Sequence, residues 1–215
     1  MIAIIDYKAG NLTSVQRALS SLGQESVITA NPAVLDGSER IIFPGVGAAG
    51  KAMADLKRLK IDLALRQSFD SGKPILGICL GTQIIMESSQ ENNNTTCLGL
   101  VKGQTLRFPE NFRDENGANL KVPHMGWNQI KFRRKHPLFE GITAENEFYF
   151  VHAYYPAPER PDTILGQTFY GFNFTSVIAL RNLVAVQFHP EKSGNPGLRI
   201  LSNFCQWEGN NHAEL

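Results

Sequence analysis

Short runs of consecutive apolar residues, separated by stretches with helical spacing, organise the first half of the chain. Ile2–Ile5 is such a run, ended by Asp6, and has the pattern of a strand covered on both faces. Leu12, Val15, Leu19 and Leu22 then recur at helical spacing until Gly23 stops them. Val27-Ile28 and residues 40–43 read as second and third strands. Residues 44–50 are glycine-rich, and the spacing beyond them predicts one helix over about 51–72, turning Met53, Leu56, Leu59, Leu63 and Leu65 toward the sheet. Pro74-Ile75-Leu76-Gly77-Ile78 is the next strand, leading through Cys79-Leu80-Gly81 into a helical Thr82-Gln83-Ile84-Ile85-Met86. Alternating strands and helices predict an α/β fold with a mostly parallel or mixed central sheet, helices on its faces and right-handed crossovers.

Beyond residue 90 the pattern changes. Residues 90–96 are polar and Asn-rich, as in an exposed turn. Short alternating segments follow at 98–106, 128–132, 148–155, 163–168, 177–180 and 183–188, which predicts hairpins and mixed strands. A last helix over about 197–207 places Leu198, Leu201, Phe204 and Cys205 on one face, so Cys205 reads as a small core residue. With no repeat and no linker, residues 1–208 form one expected domain, and 209–215 an expected frayed tail.

A chain of 215 residues buries enough surface to fold without disulfides or metals. Lys and Arg number 21 against 20 Asp and Glu, a formal charge of +1, which argues against a nucleic-acid binder. One basic run, Lys131-Phe132-Arg133-Arg134-Lys135-His136, is either a solvated surface or a patch facing an anionic substrate or partner. Three cysteines without ligand spacing fit a reducing cytoplasm. No apolar run reaches 18 residues, and Met1-Ile2-Ala3-Ile4-Ile5 reads as a buried strand, so no membrane association is expected.

The chemistry concentrates at Cys79. It follows a strand within Gly77-Ile78-Cys79-Leu80-Gly81, the strand-turn-helix setting of a nucleophile elbow. Such a turn strains the nucleophile, flanking glycines let backbone approach, and the helix start favours thiolate. The competing reading is a buried structural cysteine. A thiolate needs a base, and His189 ends the apolar run Val184-Ala185-Val186-Gln187-Phe188, where Pro190 stops the strand at the crevice end of the sheet. Glu191, two residues on, is placed to accept the other imidazole N–H. Acyl transfer also needs oxyanion donors. Leu80 N–H is one candidate, and the loop Pro44-Gly45-Val46-Gly47 offers another at Val46 or Gly47. That loop also reads as a plain turn, while a nucleotide cradle lacks its fingerprint. An esterase of the α/β-hydrolase kind would place its acid before its histidine, whereas Glu191 follows His189. A regulatory module without chemistry would lack a triad member, and none is missing.

Pro44-Gly45-Val46-Gly47, Gly77-Ile78-Cys79-Leu80-Gly81-Thr82-Gln83 and Gln187-Phe188-His189-Pro190-Glu191 together resemble the class I (triad-type) glutamine amidotransferases over essentially the whole chain. Within that family, Ile5-Asp6-Tyr7 with Gly10-Asn11-Leu12, Pro123-His124-Met125-Gly126-Trp127-Asn128 and Tyr149-Phe150-Val151-His152-Ala153-Tyr154 look most like the glutaminase subunits of imidazole glycerol phosphate synthases. The resemblance implies a flavodoxin-like fold and a Cys79, His189, Glu191 triad. L-glutamine would be held by Gln83 and backbone near Ala153. It further implies no cofactor, no metal at His124 or His152, and a heterodimer with a (β/α)₈-barrel cyclase that receives ammonia in histidine biosynthesis. Trp127, Asn128, Tyr149 and Lys192 would line the docking face. Trp127 by itself reads equally as core or interface. Two alternatives stay open: a paralogue supplying ammonia for sugar amidation in surface-polysaccharide synthesis, and an inactive regulatory subunit. Lys8-Ala9 departs from the pattern, which favours a glycine or small residue there.

Overall fold

A computed structural model describes residues 1–8, 12–110, 112–113 and 117–209. Gly10-Asn11, His212 and the expected tail beyond Gly209 lie outside the described residues, and Gly209 itself is buried. In chain order the elements are β1 Ile2–Ile5, α1 Leu12–Ser21, β2 Ser26–Thr29, α2 Pro32–Gly37, β3 Arg40–Gly45, α3 Ala49–Arg58, α4 Ile61–Asp70, β4 Ile75–Cys79 and α5 Leu80–Ile84. There follow β5 Ser88–Ser89, β6 Thr95–Thr96, β7 Gly103–Arg107, β8 His124–Gln129, β9 Lys131–Phe132, β10 Glu147–His152, β11 Tyr154–Pro158, β12 Ile164–Tyr170, β13 Phe172–Leu180, β14 Leu183–Val186 and α6 Gly194–Gln206.

One eight-stranded sheet runs in the order β2-β1-β3-β4-β14-β13-β12-β9. Its five strands from β2 to β14 are parallel, and β13, β12 and β9 add antiparallel pairs. Two smaller sheets, β10-β8 and β11-β7-β5-β6, sit at the end where β4 and β14 terminate. Side chains alternate across β1: Ala3 and Ile5 join the core under α2, α3 and α4, while Ile2 and Ile4 join the core under α1 and α6. Burial on both faces is why the parallel strands read as unbroken apolar runs.

The predicted helix over 51–72 is two helices. Lys60 adopts φ 58° between α3 and α4, and this left-handed residue resets the helical phase. The second helix therefore buries Ile61, Ala64, Leu65 and Phe69, and Leu63, expected to face the sheet, is 55% exposed. Helix α2 was not anticipated. Its signal lies in Asn31-Pro32, where the Asn31 side chain accepts from Ala33 N at 3.0 Å and Pro32 opens the first turn. The segment expected as a strand over 98–106 pairs only from Gly103. Lys8, flagged as a departure, has φ 68° and an exposed side chain; a glycine enters that conformation without steric cost.

The basic run folds back onto a neighbouring loop, with Arg133 donating to Pro161 O at 3.5 Å and Arg134 to Asp162 O at 2.6 Å. His136 is buried and accepts from Leu138 N at 3.1 Å. Among the described residues no helix is long and apolar enough to cross a membrane.

Candidate active site

Strand register brings the candidate residues together. Gly45 pairs with Cys79 across β3 and β4, so the loop carrying Val46 and Gly47 leaves the sheet beside the sulfur. Val186, the last residue of β14, pairs with Ile78 on the other side of β4, which delivers Gln187 and His189 to the same end. Cys79 stands at φ 54°, ψ −106°, a conformation that costs a non-glycine residue about 1–3 kcal/mol. Close packing holds it there. A Cβ on Gly81 would lie 2.0 Å from Phe43 O, so only glycine lets α5 start so near β3. Thr82 Oγ1 donates to Val186 O at 2.6 Å, tying α5 to β14. Helix α5 has five residues, so its dipole is slight and the immediate N–H groups, beginning at Leu80, supply its electrostatic contribution.

His189 Nδ1 and Glu191 Oε1 are 2.8 Å apart, with both side chains almost wholly buried. The short turn Pro190–Lys192 curls Glu191 back toward the ring. The backbone of His189 is pinned as well: its N–H donates to Tyr149 O at 2.9 Å, and its carbonyl accepts from Ser193 Oγ at 2.6 Å. Ser193 Oγ in turn accepts from Tyr149 N at 3.0 Å. His189 Nε2 is buried without a complete hydrogen bond. Burial alone would lower the imidazole pKa, but the hydrogen bond and negative charge of the adjacent Cys79 sulfur, with those of the Glu191 carboxylate, outweigh it and raise the value to about 10. A cationic imidazole between a sulfur and a carboxylate is suited to transfer a proton to a leaving amine.

Two neighbours had no assigned role. Gln187 Nε2 donates toward Cys79 Sγ at 3.8 Å; its signal is the two-residue spacing to His189. Tyr7 is buried against Phe43, and its hydroxyl occupies the space where a Gly45 Cβ would stand. Burial and then the Cys79 charge push its phenol pKa upward. Cys79 Sγ also lies 4.0 Å from Val151 O, which places β10 over the sulfur.

The remaining expected site residues separate into two groups. Gln83 is buried and donates to Tyr154 O at 2.8 Å and Gln187 Oε1 at 3.2 Å. Ala153 O accepts from Phe108 N at 3.1 Å. Val46 is 39% exposed and Gly47 has φ 99°. Trp127 is 55% exposed rather than core. It sits opposite Tyr149 in the β8–β10 register, with ring centroids 6.0 Å apart, and Lys192 Nζ lies 5.8 Å from the Tyr149 ring. Asn128 is half-buried, its amide turned toward His124 and Phe169 O. None of Cys79, His189 and Glu191 lines the cavity of about 770 Å³ formed by Phe132, Arg133, Arg134, Lys135 and Phe139.

His124 and His152 are hydrogen-bonded to each other at 3.0 Å. Among the described residues no group of three or more His, Cys, Asp or Glu is placed to hold a metal ion. Burial lowers the His124 pKa from 6.5 to about 4; burial and then the His124 charge lower that of His152 to about 3. Below pH 6.5 the unfolded chain takes up protons that the folded pair refuses. Stability is therefore expected to fall as pH drops through the window from 6.5 toward 4, by up to about 1.4 kcal/mol per pH unit for each histidine. Urea unfolding across that window reads the slope, and a flat profile in a variant-corrected comparison with the His124→Phe/His152→Phe protein would contradict it.

Residues 3–207 match the family model for glutamine amidotransferase class-I. The chain is 52% identical over 207 residues to imidazole glycerol phosphate synthase subunit HisH of Nitratidesulfovibrio vulgaris (strain DP4), covering 96% of each chain. It is 46% identical over 210 residues to the subunit of the same name from Methylococcus capsulatus (strain Bath), again with 96% of each covered. Among solved structures, a glutamine amidotransferase superposes with TM-score 0.69 at 18% identity, covering 95% of this chain and all of that one. PurLQS from Thermotoga maritima superposes with TM-score 0.71 at 19% identity, covering 95% and 97%. Those two likenesses bear on the fold alone. With the family model spanning the sheet, the elbow and the buried histidine–glutamate pair, this chain belongs to the class-I glutamine amidotransferases.

Proposed function

We propose that the chain is the glutaminase subunit of an imidazole glycerol phosphate synthase and hydrolyses L-glutamine at Cys79. The observation that carries the chemistry is the buried Glu191–His189 pair beside a strained cysteine at the end of β4. Cys79 sulfur attacks the glutamine carboxamide carbon, and its proton resides on His189. The tetrahedral oxyanion is met by N–H groups of Leu80 and of the Val46-Gly47 loop. His189 then protonates the departing nitrogen, ammonia leaves, and a γ-glutamyl thioester remains on Cys79. Water, giving its proton to His189, attacks that thioester. Glutamate departs and the thiol is restored. Gln83 and the backbone around Ala153 hold the substrate.

The histidine-pathway assignment is supported by relatives of that name covering 96% of both chains. The partner we propose is a (β/α)₈-barrel cyclase, which takes up the ammonia. Its seat is the exposed edge of β8 and β10, where Met125 and Trp127 are 62% and 55% exposed and Tyr149 and Lys192 adjoin. This edge connects directly to the catalytic histidine, because Tyr149 O accepts from His189 N. We further propose that residues 1–208 act as one domain in the cytoplasm. Reconstitution with the cyclase and its phosphoribulosyl substrate tests the reading. Glutamine is expected to support imidazole glycerol phosphate formation; turnover of glutamine without that product would instead favour the sugar-amidating alternative.

A further inference from the structure

Asn128, His124, His152, Tyr154, Gln83 and Gln187 form one continuous chain of hydrogen bonds that ends at the Cys79 sulfur. Asn128 Nδ2 lies 3.2 Å from His124 Nε2. His124 Nδ1 lies 3.0 Å from His152 Nε2, and His152 Nδ1 lies 2.9 Å from Tyr154 O. Tyr154 O accepts also from Gln83 Nε2, which donates onward to Gln187 Oε1. Gln187 Nε2 then points at Cys79 Sγ.

Both ends of the histidine pair demand the same tautomers. The Tyr154 carbonyl only accepts, so His152 carries its proton on Nδ1 and its Nε2 is bare. That bare nitrogen requires a donor, so His124 carries its proton on Nδ1. His124 Nε2 is then an acceptor, and what faces it is an amide NH₂. The orientation of that amide is set independently, because Asn128 Oδ1 accepts from Gln129 N at 2.8 Å and Nδ2 donates to Phe169 O at 3.0 Å. An added proton on either ring would set two donors against each other. The pair is held in place by Phe108, Phe150, Phe174 and Tyr170, which pack around the two rings.

We infer that His124 and His152 are positioning residues for the glutamine site, fixing the Tyr154 carbonyl and through it Gln83, with half-buried Asn128, on the face of β8 opposite Met125 and Trp127, setting the direction of the chain. The inference rests on the glutaminase reading above. It assigns the two buried histidines a role separate from proton transfer, which belongs to His189. It also joins β8, whose outer face is proposed to seat the partner, to the substrate-holding side chain through one set of directional bonds.

Imidazole ¹⁵N spectra of the full chain provide the first test. His124 and His152 are both expected as neutral Nδ1–H tautomers at pH 7, and an Nε2–H tautomer or an imidazolium at either residue would overturn the inference. Glutamine kinetics of the subunit reconstituted with its cyclase provide the second. His152→Phe is expected to raise KM for glutamine about tenfold with kcat changed less than about threefold, and half-buried Asn128→Ala about threefold, each the scale of one lost hydrogen bond. The double variant is expected to be no worse than His152→Phe alone, since a chain broken once transmits nothing further. Should His152→Phe fail to fold, the Asn128→Ala effect and the tautomers decide. Folded variants with KM within twofold of wild type, or effects that multiply in the double variant, overturn the positioning role. A wild-type complex that does not turn over glutamine overturns the functional reading instead.

Discussion

Cys79→Ala is expected to eliminate glutamine-dependent product formation by the reconstituted synthase, by about 10⁴-fold or more, while synthesis from added ammonium salts continues at the wild-type rate. The asymmetry follows from where the sulfur sits. Cys79 is 6% exposed at the end of β4, and its truncation deletes the nucleophile while leaving Met125, Trp127 and Tyr149 on β8 and β10 unchanged. Alanine also relieves nothing that the sheet needs, because φ 54° is imposed by the approach of Gly81 to Phe43 O rather than by the sulfur. Cys97 and Cys205 cannot substitute. Burial raises both thiol pKa values, and among the described residues neither adjoins a histidine–carboxylate pair. Parallel assays with glutamine and with ammonium chloride check the expectation.

The second large effect is expected for Glu191→Gln. Glu191 Oε1 contacts His189 Nδ1 at 2.8 Å, with both side chains buried, so the carboxylate stabilises the imidazolium and fixes its tautomer. A glutamine preserves shape but removes the charge. We expect kcat to fall by about 10²–10³-fold, with KM for glutamine changed far less, because Glu191 makes its interaction with the histidine and not with the substrate. The pH profile carries the sign. Glu191 is among the influences that raise the His189 pKa to about 10; without it the value falls. The alkaline limb of kcat/KM is therefore expected to move to lower pH than in the native protein. An unmoved alkaline limb in Glu191→Gln would assign Glu191 a structural role only.

The proximity of Cys79, His189 and Glu191 was legible in the sequence because its signals are local. Glycines bracket Cys79 within two residues, and Pro190 opens the short turn that brings Glu191 back on His189, although β14 itself stops earlier, at Val186. The parallel half of the sheet was legible for the same reason, as unbroken apolar runs between glycine-bearing turns. What the sequence did not reveal depends on phase or register. Lys60 has no composition that announces a left-handed break, so Leu63 read as buried. Gln187 reaches the sulfur only because β14 lies next to β4. His124 and His152 are 28 residues apart and meet only through the antiparallel pairing of β8 with β10. Trp127 was balanced between core and interface until that same pairing placed it on the outer face opposite Tyr149.

The covalent intermediate tests the central claim most directly. Rapid acid quenching of the reconstituted complex during glutamine turnover, followed by peptide mass mapping, is predicted to find a γ-glutamyl thioester on the peptide containing Cys79 and none on those containing Cys97 or Cys205. Glutamine turnover with no adduct on Cys79, or with the adduct on another cysteine, would contradict the account.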